Sequence, residues 1–410
     1  MSVMDGGRFA RILGRTFHLY VPTHMDFRFK RTAIAAASVF AIASAQATTI
    51  NLVDLGGVTG SAAEQGFNIA AGFWGNMFTN DAVINLGVRF APLATGVIGS
   101  TGSTRMDFSV ASWESGIVAT RSSSAIDMTA VLPTLTGGGI SGTTVGVNGS
   151  GDNDIGVVAT LDGTQTASQV LYLNTSVVKA VGGSVANPAA LDGNITFSSN
   201  FSFDFDPTDG VTAGTFDFIG VAIHEIGHAL GFVSGVDFFD VYSFPSGPNK
   251  GTLGYDLNDT SIFSALDMFR YSAPGMLDYR PGGTPYFSID GGATALFGNT
   301  YSTGRYNGDG QQASHWKDTA GCQVGNGIMD PTFCFGQMGT ITGLDLAAFD
   351  AMGWNLKSDA LTFANMTSAD IFIAATVPEP SVWAMMLAGG LGIAGLKRRA
   401  SRREATATAA

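Results

Sequence analysis

Charge is scarce in this chain, and much of the positive charge sits at the two ends. Only 13% of the 410 residues are Asp, Glu, Lys or Arg, against 45% hydrophobic. That apolar content is too high for a disordered chain. Proline is limited to 13 residues against 55 Gly, and the glycines follow no Gly-X-Y period, so a collagen-like chain is excluded. Positions 1–47 hold six Lys/Arg and two Asp/Glu, and positions 381–410 hold five and one. Removing them from totals of 21 and 33 leaves 10 basic and 30 acidic residues in 48–380, a net charge of −20. A body that acidic repels phosphate backbones and anionic lipid, so nucleic acid is excluded as a partner class. Its length suits one large domain or two subdomains.

The ends themselves read as addresses. Met25 begins a segment with Arg28, Lys30 and Arg31, then an apolar run from Ala33 to Ala43, then Ala45-Gln46-Ala47. This is the layout of a secretory signal with cleavage after Ala47, residues 1–24 being an upstream extension or the product of a misassigned start codon. At the other end Val377-Pro378-Glu379-Pro380 precedes an uncharged span from Ser381 to Leu396, then Lys397-Arg398-Arg399 and Arg402-Arg403. Sixteen helical residues reach roughly 24 Å, short of a hydrocarbon core of about 30 Å. That suits a transient membrane hold, with an ordinary single-span anchor as the alternative. The order of Pro-Glu-Pro, apolar span and basic cluster (377–403) resembles the PEP-CTERM sorting signal. The resemblance implies processing by signal peptidase and exosortase in an exopolysaccharide-producing Gram-negative bacterium. It also places the body in the periplasm, at the cell surface or in the extracellular matrix. In such oxidising surroundings the only two cysteines, Cys322 and Cys334, are expected to pair. Two cysteines alone cannot build a thiolate zinc site.

Along the body, Ala63 to Phe78 places Phe67, Ala70, Ala71 and Trp74 at helical spacing, and Val83 to Phe90 reads as a strand. Residues 91–165, rich in Gly, Ser and Thr, read as strands and turns, including Val145–Val147 and Gly156–Val158. Gln169 to Val181 reads as a helix and Asn194 to Phe197 as a short strand. An Asp-rich turn from Asp204 to Gly210 follows, then a helix from about Phe216 to Leu230. Strands and helices without βαβ regularity predict an α+β fold.

The chemistry is concentrated in His224-Glu225-Ile226-Gly227-His228, inside that last helix. Residues four apart lie about 40° apart around a helix axis, so both imidazoles reach one ion from the same face. Three protein ligands on zinc leave a fourth position for water, whose pKa falls to near 7. Glu225 follows the first ligand directly, where its carboxylate can take the water's proton and return it to a leaving amine. The chain holds only five His and five Glu. At those frequencies chance produces the pattern in about one chain in a thousand of this length.

The third ligand lies elsewhere. With His18 and His24 in the leader, the body holds only His224, His228 and His315. A downstream Glu serves thermolysin-like enzymes, but after Glu225 the only one before the basic tail is Glu379, in the sorting motif. Three residues past Gly231, where metzincins place their third ligand, stands Ser234, a poor donor. Asp237 and Asp240 lie a little beyond. His315, in Gln-Ala-Ser-His-Trp, is the favoured candidate, with the two aspartates as alternatives. Asp204, Asp206 and Asp209 carry oxygen donors suited to Ca²⁺. An EF-hand loop needs Gly where Asp209 stands, so a solvated acidic turn is expected there.

Together, His224 to Phe232 (HEIGHALGF), the downstream His315-Trp316 pair and Gly327-Ile328-Met329-Asp330-Pro331 resemble the leishmanolysin branch of the metzincins. That resemblance implies a zincin fold, with a twisted mixed sheet and active-site helix over 48–235. A smaller, mostly irregular subdomain would occupy 236–358, followed by a linker over 359–376. It further implies Zn²⁺ on His224, His228 and His315, and Met329 as the methionine of the turn beneath the metal. Gly231 would let the chain leave the helix, the Cys322–Cys334 pair would staple the Met329 loop, and Thr342 to Trp354 would form a closing helix. The expected activity is zinc-dependent endopeptidase hydrolysis of protein or peptide substrates through a metal-activated water, with Glu225 as general base. The alternative is a non-catalytic surface or matrix protein that retains the fold.

Overall fold

The computed structural model describes residues 48–376 apart from 299, 320 and 323. Residues 1–47 and 377–403, on which the expected leader and sorting signal fall, lie outside the described residues. Among the described residues no helix is long and apolar enough to cross a membrane.

The chain is a mixed α+β structure built from several sheets. Strand β1 (Thr49–Gly56) leads into helix α1 (Ala62–Met77), and β2 (Val83–Ala91) returns parallel to β1. Ser61 occupies the N-cap of α1, and Glu64 in the first turn accepts from Gly60 N–H at 2.7 Å, satisfying an exposed donor next to the helix start. The helical spacing of Phe67, Ala70, Ala71 and Trp74 puts all four on the buried face. Next in space comes β8 (Gly193–Ser198), parallel to β2, and then β3 (Gly99–Ser103), antiparallel to β8, for a sheet order β1-β2-β8-β3.

The helix carrying the motif, Phe218–Ala229, packs beside α1 and over this sheet. Phe67, Phe197 and Phe218 meet with ring centroids 4.7 to 5.0 Å apart. Trp74 Nε1 donates to Ile223 O at 3.0 Å. Each such fully buried aromatic ring contributes about 2–3 kcal/mol of hydrophobic stabilisation. Asp217 caps the motif helix by accepting from Gly220 N–H, and its other oxygen accepts from Gly339 N–H. The cap thus also ties the helix start to a distant loop.

Upstream of the motif helix, two stretches differ from the sequence expectation. Within 91–165, β4 (Arg105–Ser109) runs into helix α2 (Val110–Thr120). Its apolar positions Val110, Trp113 and Ile117 are buried, and Ser109 caps its start. The Ser/Gly-rich composition obscured a periodicity that three buried residues suffice to support. Over Gln169–Val181 only Thr175–Ala180 forms a helix beyond a single turn at Thr166–Gln169, while Val170–Asn174 is strand β7, paired antiparallel with β4. Pairing with β4 overrides helix propensity there.

A five-stranded sheet joins β5 (Ser141–Val147) and β6 (Asn153–Asp162) to strands at Arg270–Ala273, Met276–Asp278 and Tyr286–Phe287. It therefore draws strands from both sides of residue 235. Residues 359–376, expected to be a linker, are built into the fold: Met366–Thr367 pairs with Thr340–Ile341, and Ser368–Thr376 is helical. Buried Ile371 anchors that segment to the core. In the Asp204–Gly210 turn the carboxylates serve the loop's own donors, Asp204 holding Thr212 and Asp206 holding Thr208.

The motif helix ends in a Schellman turn. Phe232 N–H donates to Gly227 O and Gly231 N–H to His228 O, both at 3.1 Å, with Gly231 at φ +115°. An alanine there adopts a strained backbone and drives its Cβ into Val177. Gly231→Ala should cost about 2 kcal/mol or more, read as a lower urea midpoint at unchanged slope. An unaltered midpoint would contradict this account of the turn.

Candidate metal centre

His224 and His228 leave the helix on one face, and His315 reaches them from a loop 87 residues beyond His228. His228 Nε2 lies 3.1 Å from His224 Nε2 and 3.1 Å from His315 Nε2. Neither of the other candidates for a third ligand joins them. Asp237 accepts from Ala313 N–H, Ser314 N–H and Ser314 Oγ, and Asp240 from Tyr306 and Asn307 N–H groups. Both hold the loop that carries His315. Ser234 donates its hydroxyl to Asp267.

The hydrogen bonds define which ring nitrogens carry protons. A backbone carbonyl only accepts, so each Nδ1 facing one must bear the hydrogen. His224 Nδ1 donates to Ile328 O at 2.7 Å, and His228 Nδ1 to Phe232 O at 2.6 Å. His315 Nδ1 faces Gln312 O at 3.3 Å. In neutral rings this leaves three bare Nε2 lone pairs pointing at one another. Lone pairs 3.1 Å apart with no proton between them repel, and a cation among them removes that repulsion. Tetrahedral zinc with nitrogen at about 2.0–2.1 Å has ligand edges of about 3.3 Å. Donor type, tautomer and spacing therefore fit a zinc-like divalent cation.

Burial keeps the rings neutral. Each of the three histidines is 8 or 9% exposed. Desolvation holds His224 down at about 4, His315 down at about 3 and His228 well below its ordinary value, with mutual repulsion adding at His228 and His315. Burial acts in the opposite sense on Glu225 and pushes its carboxyl up to about 7, against a hydrogen bond from Thr101. Thr101 Oγ1, on edge strand β3, lies 2.7 Å from Glu225 Oε2 and 2.9 Å from Glu225 O. A cavity of about 1010 Å³ opens over these groups and gives solutes access to them.

Met329 is fully buried beneath the helix. A Cβ at Gly227 would stand 2.6 Å from its sulfur, so only glycine at that position lets the turn lie this close. One carboxylate organises the region. Asp345, in the first turn of the helix Gly343–Met352, accepts from Ile328 N–H, Met329 N–H and Trp316 Nε1. It thereby joins the carbonyl that orients His224 to the residue that follows His315. Trp316 N–H also donates to Met329 O at 3.0 Å. Cys322 and Cys334 form a disulfide across the loop that carries Met329, a closure that contributes about 3 kcal/mol on a chain-entropy model. Thr101 and Asp345 were absent from the sequence expectation. Asp345 had a visible signal, the Thr342-x-x-Asp345 capping box, whereas Thr101 had none.

Comparison of the chain with known protein families, with curated proteins and with solved structures finds no match.

The depressed histidines give the metal-free protein a defined acid response. Unfolded histidines titrate near 6.5, while the folded rings stay neutral until about 4, so between those values the unfolded chain binds more protons. Chelator-treated protein should lose roughly 1 kcal/mol per pH unit per histidine as pH falls from 6.5 towards 4, with no histidine contribution above 6.5. Urea unfolding across that range should show a shallower slope for His315→Gln. Identical slopes would contradict the burial argument.

Proposed function

We propose that the chain is an exported zinc-dependent metalloendopeptidase of metzincin type, similar to the leishmanolysin branch. The observation that carries this reading is the convergence of three carbonyl-anchored imidazoles, each presenting a bare Nε2, beside a buried carboxylate in an open cavity. A structural metal would need no such carboxylate and no access. His224, His228 and His315 would hold the ion. When bound, Zn²⁺ supplies Lewis acidity towards a peptide carbonyl and lowers the pKa of a water molecule.

The remaining work belongs to the chain's own groups. Glu225 takes a proton from the attacking water and delivers it to the departing amine. Burial that raises its carboxyl to about 7 favours this double role, because acceptance and return are then closely balanced near neutral pH. Thr101 fixes the carboxylate by donating to Oε2, leaving Oε1 for the reacting proton. The carbonyls of Ile328 and Phe232 keep both helix imidazoles in the tautomer that presents Nε2. Met329 supports the ring cluster from below, and the disulfide braces its loop.

Export through the signal at 25–47 and sorting through the tail at 377–403 belong to the same proposal. A disulfide is consistent with that destination.

Glu225→Gln should retain one zinc per chain and lose casein hydrolysis by about 1000-fold or more. His315→Ala should lose stoichiometric zinc, and chelation should reversibly silence the wild type. Casein cleavage by Glu225→Gln at the wild-type rate would remove the base assignment. A wild type that binds zinc yet cleaves nothing would favour the non-catalytic matrix protein.

A further inference from the structure

We propose that Arg105 is a specificity-determining residue, its guanidinium binding a substrate carboxylate in the cavity beside the histidine cluster. The inference rests on the peptidase reading and names the chemistry of the peptides that the site accepts.

Arg105 opens strand β4, is partly buried and lines the same cavity as His228 and Glu225. Its guanidinium lies over the ring of Tyr172 at 5.8 Å from the centroid, which orients the fork without using its N–H groups. Among the described residues it makes no ion pair and no side-chain hydrogen bond. Several other cations of the body are engaged, while Arg121, Arg305 and Lys357 are unpaired among the described residues but exposed to solvent. Arg280 forks onto Asp278, Lys179 pairs with Asp192, Lys317 pairs with Asp309, and Arg270 donates to the carbonyls of Ser302 and Ala313.

The charge balance sharpens the point. Residues 48–380 carry 30 acidic side chains against 10 basic ones, so carboxylate partners are plentiful. The cavity nevertheless holds Arg105 unpaired. Asp237 is the carboxylate that acts most strongly on it, and both Asp237 oxygens are occupied by Ala313 and Ser314 donors. A second arginine, Arg305, also lines the cavity and lies over Tyr306 at 5.9 Å. It adds positive potential at the cavity wall.

A partly desolvated guanidinium offers two parallel N–H donors at the spacing of a carboxylate, and meeting them is favourable only for an anion of that shape. The carboxylate can belong to a Glu or Asp side chain or to a free C-terminus, and one experiment separates these sources. A set of quenched fluorescent octapeptides moves a single Glu, or an isosteric Gln, through each position. A parallel set ends in a free acid or an amide.

In the wild type, kcat/KM should favour Glu over Gln at one position, or acid over amide at the terminus, by about 10- to 100-fold. Arg105→Gln should collapse that ratio to near one, and Arg105→Lys should restore part of it. A ratio near one throughout the wild-type scan, or one that persists in Arg105→Gln, overturns the proposal. Calorimetric binding of the same peptides to zinc-loaded Glu225→Gln supplies a readout without turnover. Preferential binding of the carboxylate peptides, with no cleavage by the wild type, would uphold Arg105 and overturn the peptidase reading. Cleavage without any carboxylate preference would do the reverse.

Discussion

Three buried imidazole nitrogens with unshared electron pairs, His228 Nε2 lying 3.1 Å from each of the other two and all three within 4.8 Å of one another, are the constraint around which this molecule is organised. Such an arrangement is unfavourable unless a cation sits among the pairs, and it cannot relax by rotating the rings. Each Nδ1–H is directed at a backbone carbonyl, from Ile328, Phe232 and Gln312. Those carbonyls sit in three different connections: the turn above Met329, the Schellman end of the motif helix, and the loop before His315. The surrounding fold is therefore required to hold three irregular backbone segments in register with one helix face.

The fold meets that requirement with buried and half-buried carboxylates. Asp345 binds Ile328, Met329 and Trp316, Asp237 binds Ala313 and Ser314, Asp267 binds Ser234 and Gly235, and Asp217 spans the helix start and Gly339. Burial raises the carboxyls of Asp345, Asp217 and Asp237, and the amide donors around them offset that desolvation. Irregular loops bury backbone groups that no ladder can satisfy, and short acidic side chains are the economical acceptors for them. The acidic composition of the body is thus partly structural, separate from any external partner.

Legibility from sequence followed the range of the interactions. Helix α1 was readable because its spacing reports one buried face, and the motif helix, β2 and β8 because each is a largely apolar run whose residues are mostly buried or half-buried. Helix α2 was missed because Val110, Trp113 and Ile117 stand among serines and glycines, and β7 because only its partner β4 makes it a strand. The histidine set was readable by scarcity, since the body offers only three. Thr101 on its edge strand and Arg105 in the cavity wall gave no comparable signal, and Asp345 beneath the Met329 turn showed only its capping box. Each acts across the fold on a residue between 16 and 124 positions away or on the shared cavity.

The sequence alone determined the three candidate ligands, the carboxylate beside the first of them and the α+β class, because these depend on residue type, helical period and count. Only the tertiary structure decided that His315 rather than Asp237 or Asp240 faces the helix pair, and which nitrogen of each ring is free. It alone also decided that an arginine stands unpaired in the cavity. Those outcomes depend on where carbonyls, amides and charges from distant segments fall within a few ångströms, and chain order carries no record of that distance.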